Sequence, residues 1–209
     1  LMAAGRNTAR GLTSQSLFEI GPGFISGMPE AQQSIAAGLR TGDAVRDWSK
    51  SSHPADVFAV KADMLAALEA VTGAPMSAPI TRGAPGWYHP GRSGVIALGK
   101  TVIARFGELH PRVLAAFDLK GPAAAFEIFL DALPEPKQKG KARPLFSPSP
   151  YQAIERDFAF VVARDVAVGE IVKAIRNAER NLIDGVSIFD VYEGKGVPEG
   201  HKSVAVSVR

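Results

Sequence analysis

A proline- and cation-rich segment near residue 140 divides this chain into two parts. Residues 133–150 contain five prolines. The cations of this segment, which only Glu135 opposes, are Lys137, Lys139, Lys141 and Arg143. Proline removes backbone donors and like charges repel each other, so such a stretch forms neither the interior of a helix nor that of a strand. We therefore predict a first domain over residues 1–133, a linker over 134–150 and a second domain over 151–209.

The composition is that of a folded globular protein. The chain has 209 residues, of which 46% are hydrophobic and 22% are charged. These values exclude collagen-like, disordered and coiled-coil classes. No apolar run approaches the ~18 residues that span a bilayer, so we expect no membrane partner. Because the chain has no cysteine, disulfide scaffolds, thiolate zinc sites and cysteine nucleophiles are excluded as well.

Both ends of the chain lack natural boundary signals. The first residues, from Leu1 to Arg6, do not have the basic-then-apolar order of a signal peptide. The last residues, from Ser203 to Arg209, alternate as a strand does and carry no stop signal. We therefore expect a fragment of a longer protein.

The first domain is predicted to be an α+β domain with an antiparallel sheet. Its expected strands are 17–20, 34–39, 95–98, 101–106 and 124–130. An amphipathic helix is expected over 56–71, where apolar residues recur every three or four positions and Gly73 gives a stop. Pro111 is expected to open a short helix, since proline is tolerated at the first helical position. Strands of this kind with few helices are typical of an α+β fold.

The second domain is predicted to have the order β-α-β-β. The expected strands are 158–162, 185–192 and 203–208, and the expected helix is 168–178, with Val168, Ile171, Val172 and Ile175 facing inward. This order is that of an incomplete ferredoxin-like fold, which requires one further helix and one further strand.

One stretch matches the phosphate-binding loop of nucleotide hydrolases. Residues Gly94 to Thr101 fit the pattern G-x-x-x-x-G-K-[ST]. The central residues are Val, Ile, Ala and Leu, however, and Thr101 begins another predicted strand rather than a helix. We therefore interpret Gly99-Lys100 as a hairpin turn, and keep a P-loop nucleotide hydrolase as an alternative.

No residues are assigned to catalysis or to metal binding. The histidines His53, His89, His110 and His201 lack the spacing of a helical metal pair and are interpreted as structural residues beside turns. The stretch His89 to Ser93 is interpreted as a turn before the hairpin. Glu127 and Asp131 are expected on the same face of one strand, where a salt bridge or a solvated edge is favoured over acid–base chemistry.

Cations of the second domain form the best candidate for nucleic-acid contact. Lys173, Arg176 and Arg180 are expected on the helix face opposite the apolar stripe, and Arg156 and Arg164 bracket the first strand. Point charges of this kind contact phosphates. Tyr192 and Phe189 are candidates for stacking on bases, although strand aromatics also serve in cores. A solvated basic face remains the alternative.

An ordered series of short stretches resembles the C-terminal portion of the bacterial phenylalanine–tRNA ligase beta subunit family. The stretches are Leu17-Phe-Glu-Ile-Gly-Pro22, Ala36-Ala-Gly-Leu-Arg40, Tyr88-His-Pro-Gly-Arg-Ser93, Phe106-Gly-Glu-Leu-His-Pro111, Ala125-Phe-Glu-Ile128, Glu155-Arg-Asp-Phe-Ala-Phe160, Phe189-Asp-Val-Tyr192 and the strand that begins at Lys202-Ser203.

The resemblance implies a different role for each of the two domains. The first would be a class II synthetase-like domain that is catalytically silent, and the second a truncated ferredoxin-fold anticodon-binding domain. The parent enzyme would be a cytoplasmic α2β2 assembly that uses ATP and Mg²⁺ to attach phenylalanine to tRNA. The expected partners are the alpha subunit and tRNA, with no cofactor bound by this part. A protein-interaction module that does not bind RNA is the other alternative.

Overall fold

The computed structural model describes residues 1–24, 26–28, 31–43, 48, 52–76, 78–135, 145 and 148–209. The chain separates into two compact units, Leu1–Lys141 and Ala142–Arg209. Most of the predicted linker lies outside the described residues, including its four cations. The linker and the domain boundaries at 133 and 151 therefore stay predictions.

The first unit is built on a six-stranded antiparallel sheet. Its strand order is β1-β2-β6-β5-β4-β3. The strands are β1 Gln15–Phe24, β2 Gln32–Thr41, β3 Ile80–Thr81, β4 Tyr88–Leu98, β5 Thr101–Leu109 and β6 Ala123–Phe129. The helices are α1 Met2–Ala9, α2 Val57–Thr72 and α3 Pro111–Ala116, and a 3₁₀ turn follows β6 at Leu130–Ala132. The predicted α+β class is confirmed.

Helix α2 covers the centre of this sheet. Asp56 caps it by accepting the N–H of Ala59 at 2.7 Å, and Gly73 ends it with a left-handed φ of 74°. The cap is therefore the first residue of the predicted range 56–71. Met64 and its neighbours one turn away are fully buried against strands β4, β5 and β6, because their spacing places them on one helix face. Arg40 on β2 also pairs with Asp63 on α2 at 2.5 Å.

The second unit has the predicted β-α-β-β order. Its elements are β7 Arg156–Ala163, α4 Val168–Ala178, β8 Val186–Tyr192 and β9 His201–Val208. The sheet order is β7-β9-β8, and both pairings are antiparallel. Ile171 of α4 packs on Val204 and Val206 of the central strand. The helix therefore covers one side of this small sheet.

Two elements of the first unit were not predicted. Helix α1 has only Ala4 buried. It is held by Gln15, whose side-chain amide donates to the carbonyl of Ala4 at 3.1 Å and to Thr8 Oγ1 at 3.1 Å. Strand β3 has two residues and pairs with Val95 and Ile96 of β4. Neither element carries an apolar repeat, so long-range contacts specify both of them.

Candidate nucleic-acid interface

Two of the predicted phosphate contacts, Lys173 and Arg176, lie exposed on α4. The helix turns its apolar residues toward the sheet, which leaves these cations in solvent. The prediction that Arg180 shares their helix face is wrong, because α4 ends at Ala178. Arg180 follows the helix and donates from Nη2 to Asn177 Oδ1 at 2.8 Å.

The other two predicted cations mark the ends of β7. Arg156 is the first residue of this strand, and Arg164 follows its last residue; both are exposed. Arg164 donates from Nε to Glu193 Oε2 at 2.8 Å. This hydrogen bond lowers the pKa of the Glu193 carboxyl and raises that of Arg164. An ion pair so exposed contributes little to stability, so Arg164 can exchange Glu193 for another anion.

The side of the small sheet opposite α4 is partly open to solvent. Side chains alternate along each strand, and the register places Tyr192, Ser203 and Val161 in one row across β8, β9 and β7. Tyr192 and Val161 are 46% and 54% exposed. Ala205 and Ala159 form part of the next row. We call the surface formed by Tyr192, Ser203, Val161, Ala205 and Ala159 the open face of the second unit.

The ring of Tyr192 is supported by the loop that follows it. Its Oη donates to the carbonyl of Lys195 at 3.4 Å. A Cβ at Gly194 would stand 2.6 Å from Tyr192 Oη, so the ring could keep this position only with glycine there. Phe189, the other aromatic candidate, lies at the irregularity between Ile188 and Asp190 and is 59% exposed. Tyr192 therefore has a defined position on the open face, suited to stacking against a base.

In the first unit, the side of the sheet away from α2 carries a polar network. Arg105 donates from Nε to Glu127 Oε2 at 2.6 Å, and Tyr88 donates its hydroxyl to the same oxygen at 3.1 Å. The Arg105 guanidinium lies 4.7 Å from the ring centre of Trp87 and 4.8 Å from that of Phe129. These partners occupy Arg105, so it is a poor candidate for binding phosphate.

This network confirms a salt bridge for Glu127 and corrects the expectation that Glu127 and Asp131 share a strand face. Strand β6 ends at Phe129, so the two carboxylates do not share a strand face. Asp131 lies in the following 3₁₀ turn and accepts the N–H of Ser34 at 2.6 Å. Glu127 is on a strand paired on both sides and not at a solvated edge. No local pattern indicates the partners of Glu127, which lie 22 and 39 residues away in the chain.

The resemblance to a phosphate-binding loop has a structural explanation. Gly94 lies in β4 opposite Phe106, and Thr101 begins β5. Gly99 has a φ of 62° and forms the turn between them with Lys100. The hairpin interpretation is confirmed. The backbone N–H groups of the motif lie along a strand and cannot converge on a phosphate, so the hydrolase alternative is rejected.

The histidines at residues 89 and 110 make local backbone contacts. His110 caps α3, with Nδ1 accepting the N–H of Arg112 at 3.2 Å. His89 Nδ1 accepts the N–H of Gly91 at 3.1 Å. The predicted turn at His89–Ser93 is wrong in its bounds, because these residues lie inside β4, where the register with β5 shifts. In the described ranges, no three His, Asp or Glu side chains come together as a metal site.

The phenol of Tyr88 gives this network a pH dependence. Burial, followed by the charge and hydrogen bond of Glu127, raises its pKa far above the ordinary 10.0. In the unfolded chain the phenol ionises near pH 10, whereas in the folded chain it stays protonated. The folded state then holds more protons, so stability falls as the pH rises above about 10.

We therefore expect Tyr88→Phe to weaken this alkaline loss of stability. The free energy of unfolding should fall less steeply between pH 10 and 11.5, by up to ~1.4 kcal/mol per pH unit. Urea unfolding followed by tryptophan fluorescence measures it, because Trp48 and Trp87 both belong to the first unit. Equal slopes for the two proteins would show that Tyr88 ionises normally in the folded state.

The architecture defines a protein of two α+β units, the second with ferredoxin-like topology. Residues 149–209 match the model of the ferredoxin-fold anticodon binding domain. Residues 1–130 match the model of the phenylalanyl tRNA synthetase beta chain CLM domain. The chain therefore belongs to the phenylalanyl-tRNA synthetase beta chain family. The resemblance read from the short stretches above is confirmed.

Curated relatives agree with this assignment. The chain is 51% identical over its whole length to a phenylalanine–tRNA ligase beta subunit of Rhodospirillum rubrum, covering 26% of that protein. It is 47% identical to the beta subunit of Paramagnetospirillum magneticum, over 99% of this chain and 26% of the relative. It is also 47% identical to the beta subunit of Bradyrhizobium diazoefficiens, over 100% of this chain and 27% of the relative. The chain thus spans about a quarter of the length of these relatives. No helix among the described residues has the length and apolar character needed to cross a membrane.

Proposed function

We propose that this chain is a non-catalytic part of a phenylalanine–tRNA ligase. Its first unit supports assembly with an alpha subunit, and its second unit binds the anticodon region of tRNA. The whole enzyme, a cytoplasmic α2β2 assembly, attaches phenylalanine to tRNA with ATP and Mg²⁺. The observation that carries this proposal is the match of residues 149–209 to an anticodon-binding domain.

In the second unit, the open face supplies a platform for bases. Tyr192 presents an aromatic surface next to Ser203 and Ala205, whose small side chains leave room above the sheet. Aromatic side chains on such a surface stack against unpaired bases, as in other single-stranded RNA binders. An anticodon loop offers bases of this kind.

The cations of the second unit are spread over β7 and α4. Arg156 and Arg164 stand at the two ends of β7, roughly 25 Å apart at the rise of an extended strand. Lys173 and Arg176 are on the helix, on the other side of the sheet from Tyr192. Arg156 pairs with Val208, which packs in the cluster under α4, so alternation also places Arg156 on that side of the sheet. We therefore assign Arg156, Arg164, Lys173, Arg176 and Arg180 to phosphates of the RNA backbone, separate from the bases stacked on Tyr192.

In the first unit, strand β1 presents an apolar surface for the alpha subunit. Phe18, Ile20 and Phe24 alternate onto one side of the sheet and are 84%, 66% and 69% exposed. Large exposed apolar patches mark interaction sites. The N–H of Ser34 points away from β1 and donates to Asp131. Pro22 of β1 is paired with Ser34, so the nitrogen of Pro22 faces the outer edge of the sheet. The N–H that proline lacks would have no neighbouring strand to donate to there, so its absence costs nothing.

A class II synthetase-like but silent role fits the first unit. Its antiparallel sheet with a covering helix supports this assignment. Arg105, on the side of the sheet away from α2, is paired with Glu127 and stacked on Trp87. An amino acid or nucleotide would have to displace both partners to reach it.

The salt dependence of tRNA binding tests the second-unit assignment. We expect the triple variant Lys173→Ala, Arg176→Ala and Arg180→Ala to lower the slope of log affinity against log salt by up to about 2, since each single-strand phosphate contact contributes roughly 0.7. Fluorescence anisotropy with labelled tRNA measures it. The matched control removes three exposed cations of the first unit, Arg82, Lys100 and Arg112. An unchanged slope in the first variant would overturn the assignment of these three residues.

A protein-interaction module without RNA binding is the second candidate. The exposed β1 residues favour it, because they need a protein partner whether or not the second unit binds RNA. Co-purification with the alpha subunit combined with no detectable tRNA affinity at low salt would select this function.

A further inference from the structure

Charged side chains from three strand ends meet at one end of the small sheet. Arg164 follows β7, Glu193 follows β8 and Lys202 is the second residue of β9. Because β9 is the central strand, its start lies between the ends of the other two. The N–H of Arg164 donates to the carbonyl of Gly200 at 2.9 Å, and Lys202 Nζ donates to the carbonyl of Arg164 at 2.9 Å. We call Arg164, Glu193 and Lys202 the strand-end cluster.

Two cations of the strand-end cluster act on its single carboxylate. The hydrogen bond from Arg164 lowers the pKa of the Glu193 carboxyl, and the charges of Arg164 and Lys202 lower it further. The charge of Lys202 therefore reaches the place that Glu193 occupies. The last residue, Arg209, is bonded to Gly185 at the opposite end of the sheet, roughly 23 Å from Lys202 at the rise of a strand. The cluster is thus built from internal residues of one unit.

The ion pair within the cluster leaves the Arg164 guanidinium only partly matched. Arg164 Nε donates to Glu193 Oε2 at 2.8 Å, and Nη2 donates to the same oxygen. In the paired geometry that a guanidinium prefers, each N–H meets an oxygen of its own. A phosphodiester offers two unbridged oxygens to this fork. The Arg164 and Glu193 side chains are also 71% and 38% exposed, so water screens their attraction and an anion can displace the carboxylate.

From this geometry we infer that the strand-end cluster binds one RNA phosphate, whose place Glu193 takes while no RNA is bound. The inference rests on the proposed binding of tRNA by the second unit and deepens it. When RNA arrives, Arg164 donates to two phosphate oxygens, Lys202 supplies the second positive charge, and the Glu193 carboxylate moves into solvent. Glu193 therefore competes with RNA for Arg164, and Lys202 is a phosphate contact that the sequence did not indicate.

A double-mutant cycle separates this competition from general charge repulsion. Glu193→Gln keeps the size of the side chain and removes its charge, so the tRNA affinity of the chain should rise about three- to fivefold. The same substitution in an Arg164→Ala background should change the affinity by less than about twofold, because no guanidinium remains to compete for. Fluorescence anisotropy with labelled tRNA measures both changes. An equal gain in the two backgrounds would overturn the inference.

Glu199→Gln is the matched control for the cycle. Glu199 is an exposed carboxylate of the loop between β8 and β9 and forms no ion pair among the residues that the structure describes. Its substitution removes the same charge without freeing Arg164, so the affinity should stay within about twofold of the original. A gain equal to that of Glu193→Gln would show repulsion alone and contradict the competition.

Inorganic phosphate tests the strand-end cluster without RNA. In the full chain, the NMR signal of the Arg164 Nε–H should shift with phosphate until it saturates. Half-saturation should need about three- to fivefold less phosphate in Glu193→Gln and more in Lys202→Gln. An unchanged midpoint in Glu193→Gln would overturn the inference even if the chain binds tRNA. A phosphate response without tRNA binding by any variant would instead overturn the proposed function, and with it the assignment of this site to RNA.

Discussion

Replacing Tyr192 with alanine is expected to weaken binding of a tRNA anticodon stem–loop about 5- to 160-fold. A base stacked on an aromatic side chain contributes ~1–3 kcal/mol, and this contribution is lost with the ring. Tyr192 is 46% exposed, so its removal should leave the fold of the second unit intact. Fluorescence anisotropy with a labelled stem–loop measures the change.

The matched control for this experiment is Tyr192→Phe. It keeps the aromatic ring and removes only the hydroxyl, whose hydrogen bond to the Lys195 carbonyl is long at 3.4 Å. We expect its affinity to stay within about twofold of the original. Equal, strong losses of affinity in both variants would show that the hydroxyl, and not the ring, contributes to binding. No loss of affinity in either variant would show that Tyr192 is not part of the interface.

Replacing Met64 with alanine is expected to destabilise the first unit by ~2–5 kcal/mol. Met64 is fully buried between α2 and the sheet. Truncation therefore removes apolar contact and leaves a cavity that its neighbours cannot fill completely. Urea unfolding followed by tryptophan fluorescence reads this unit alone, since the second unit contains no tryptophan.

Phe58→Ala is the control for the Met64 variant. It deletes a large side chain from the same helix at a position that is 72% exposed, and we expect a change within about 0.5 kcal/mol. If both variants lose the same stability, the solvent side of α2 is part of a core and the burial described here is wrong.

The sequence predicted most closely the elements that have strong periodicity. Helix α4 has the bounds expected from the spacing of Val168, Ile171, Val172 and Ile175. The hairpin at Gly99 followed from two apolar runs around a turn. Helix α1 escaped prediction because Met2–Ala9 has no apolar stripe, and the side chain of Gln15 holds it in place. Such tertiary contacts leave no local signal in the sequence.

The candidate site was predictable only in part. Tyr192 and the exposed cations were identified from residue type and from the helix face. The placement of Arg180 on that face was wrong, because Arg180 follows the helix, which ends at Ala178 as its apolar spacing predicts. The pairing of Arg105 with Glu127 depends on the register of β5 with β6, which no local pattern reveals. The register of the strands decides which side chains meet across a sheet, and that register has no local signal in the sequence.

The binding preference of the unsubstituted chain tests the central claim most directly. Its affinity is measured in one buffer for two hairpins of phenylalanine tRNA, the anticodon stem–loop and the acceptor stem. We expect the anticodon stem–loop to bind at least tenfold more tightly, with affinity that falls as salt rises. Equal affinity for the two hairpins, or no binding at low salt, would contradict the proposal that this chain recognises the anticodon region.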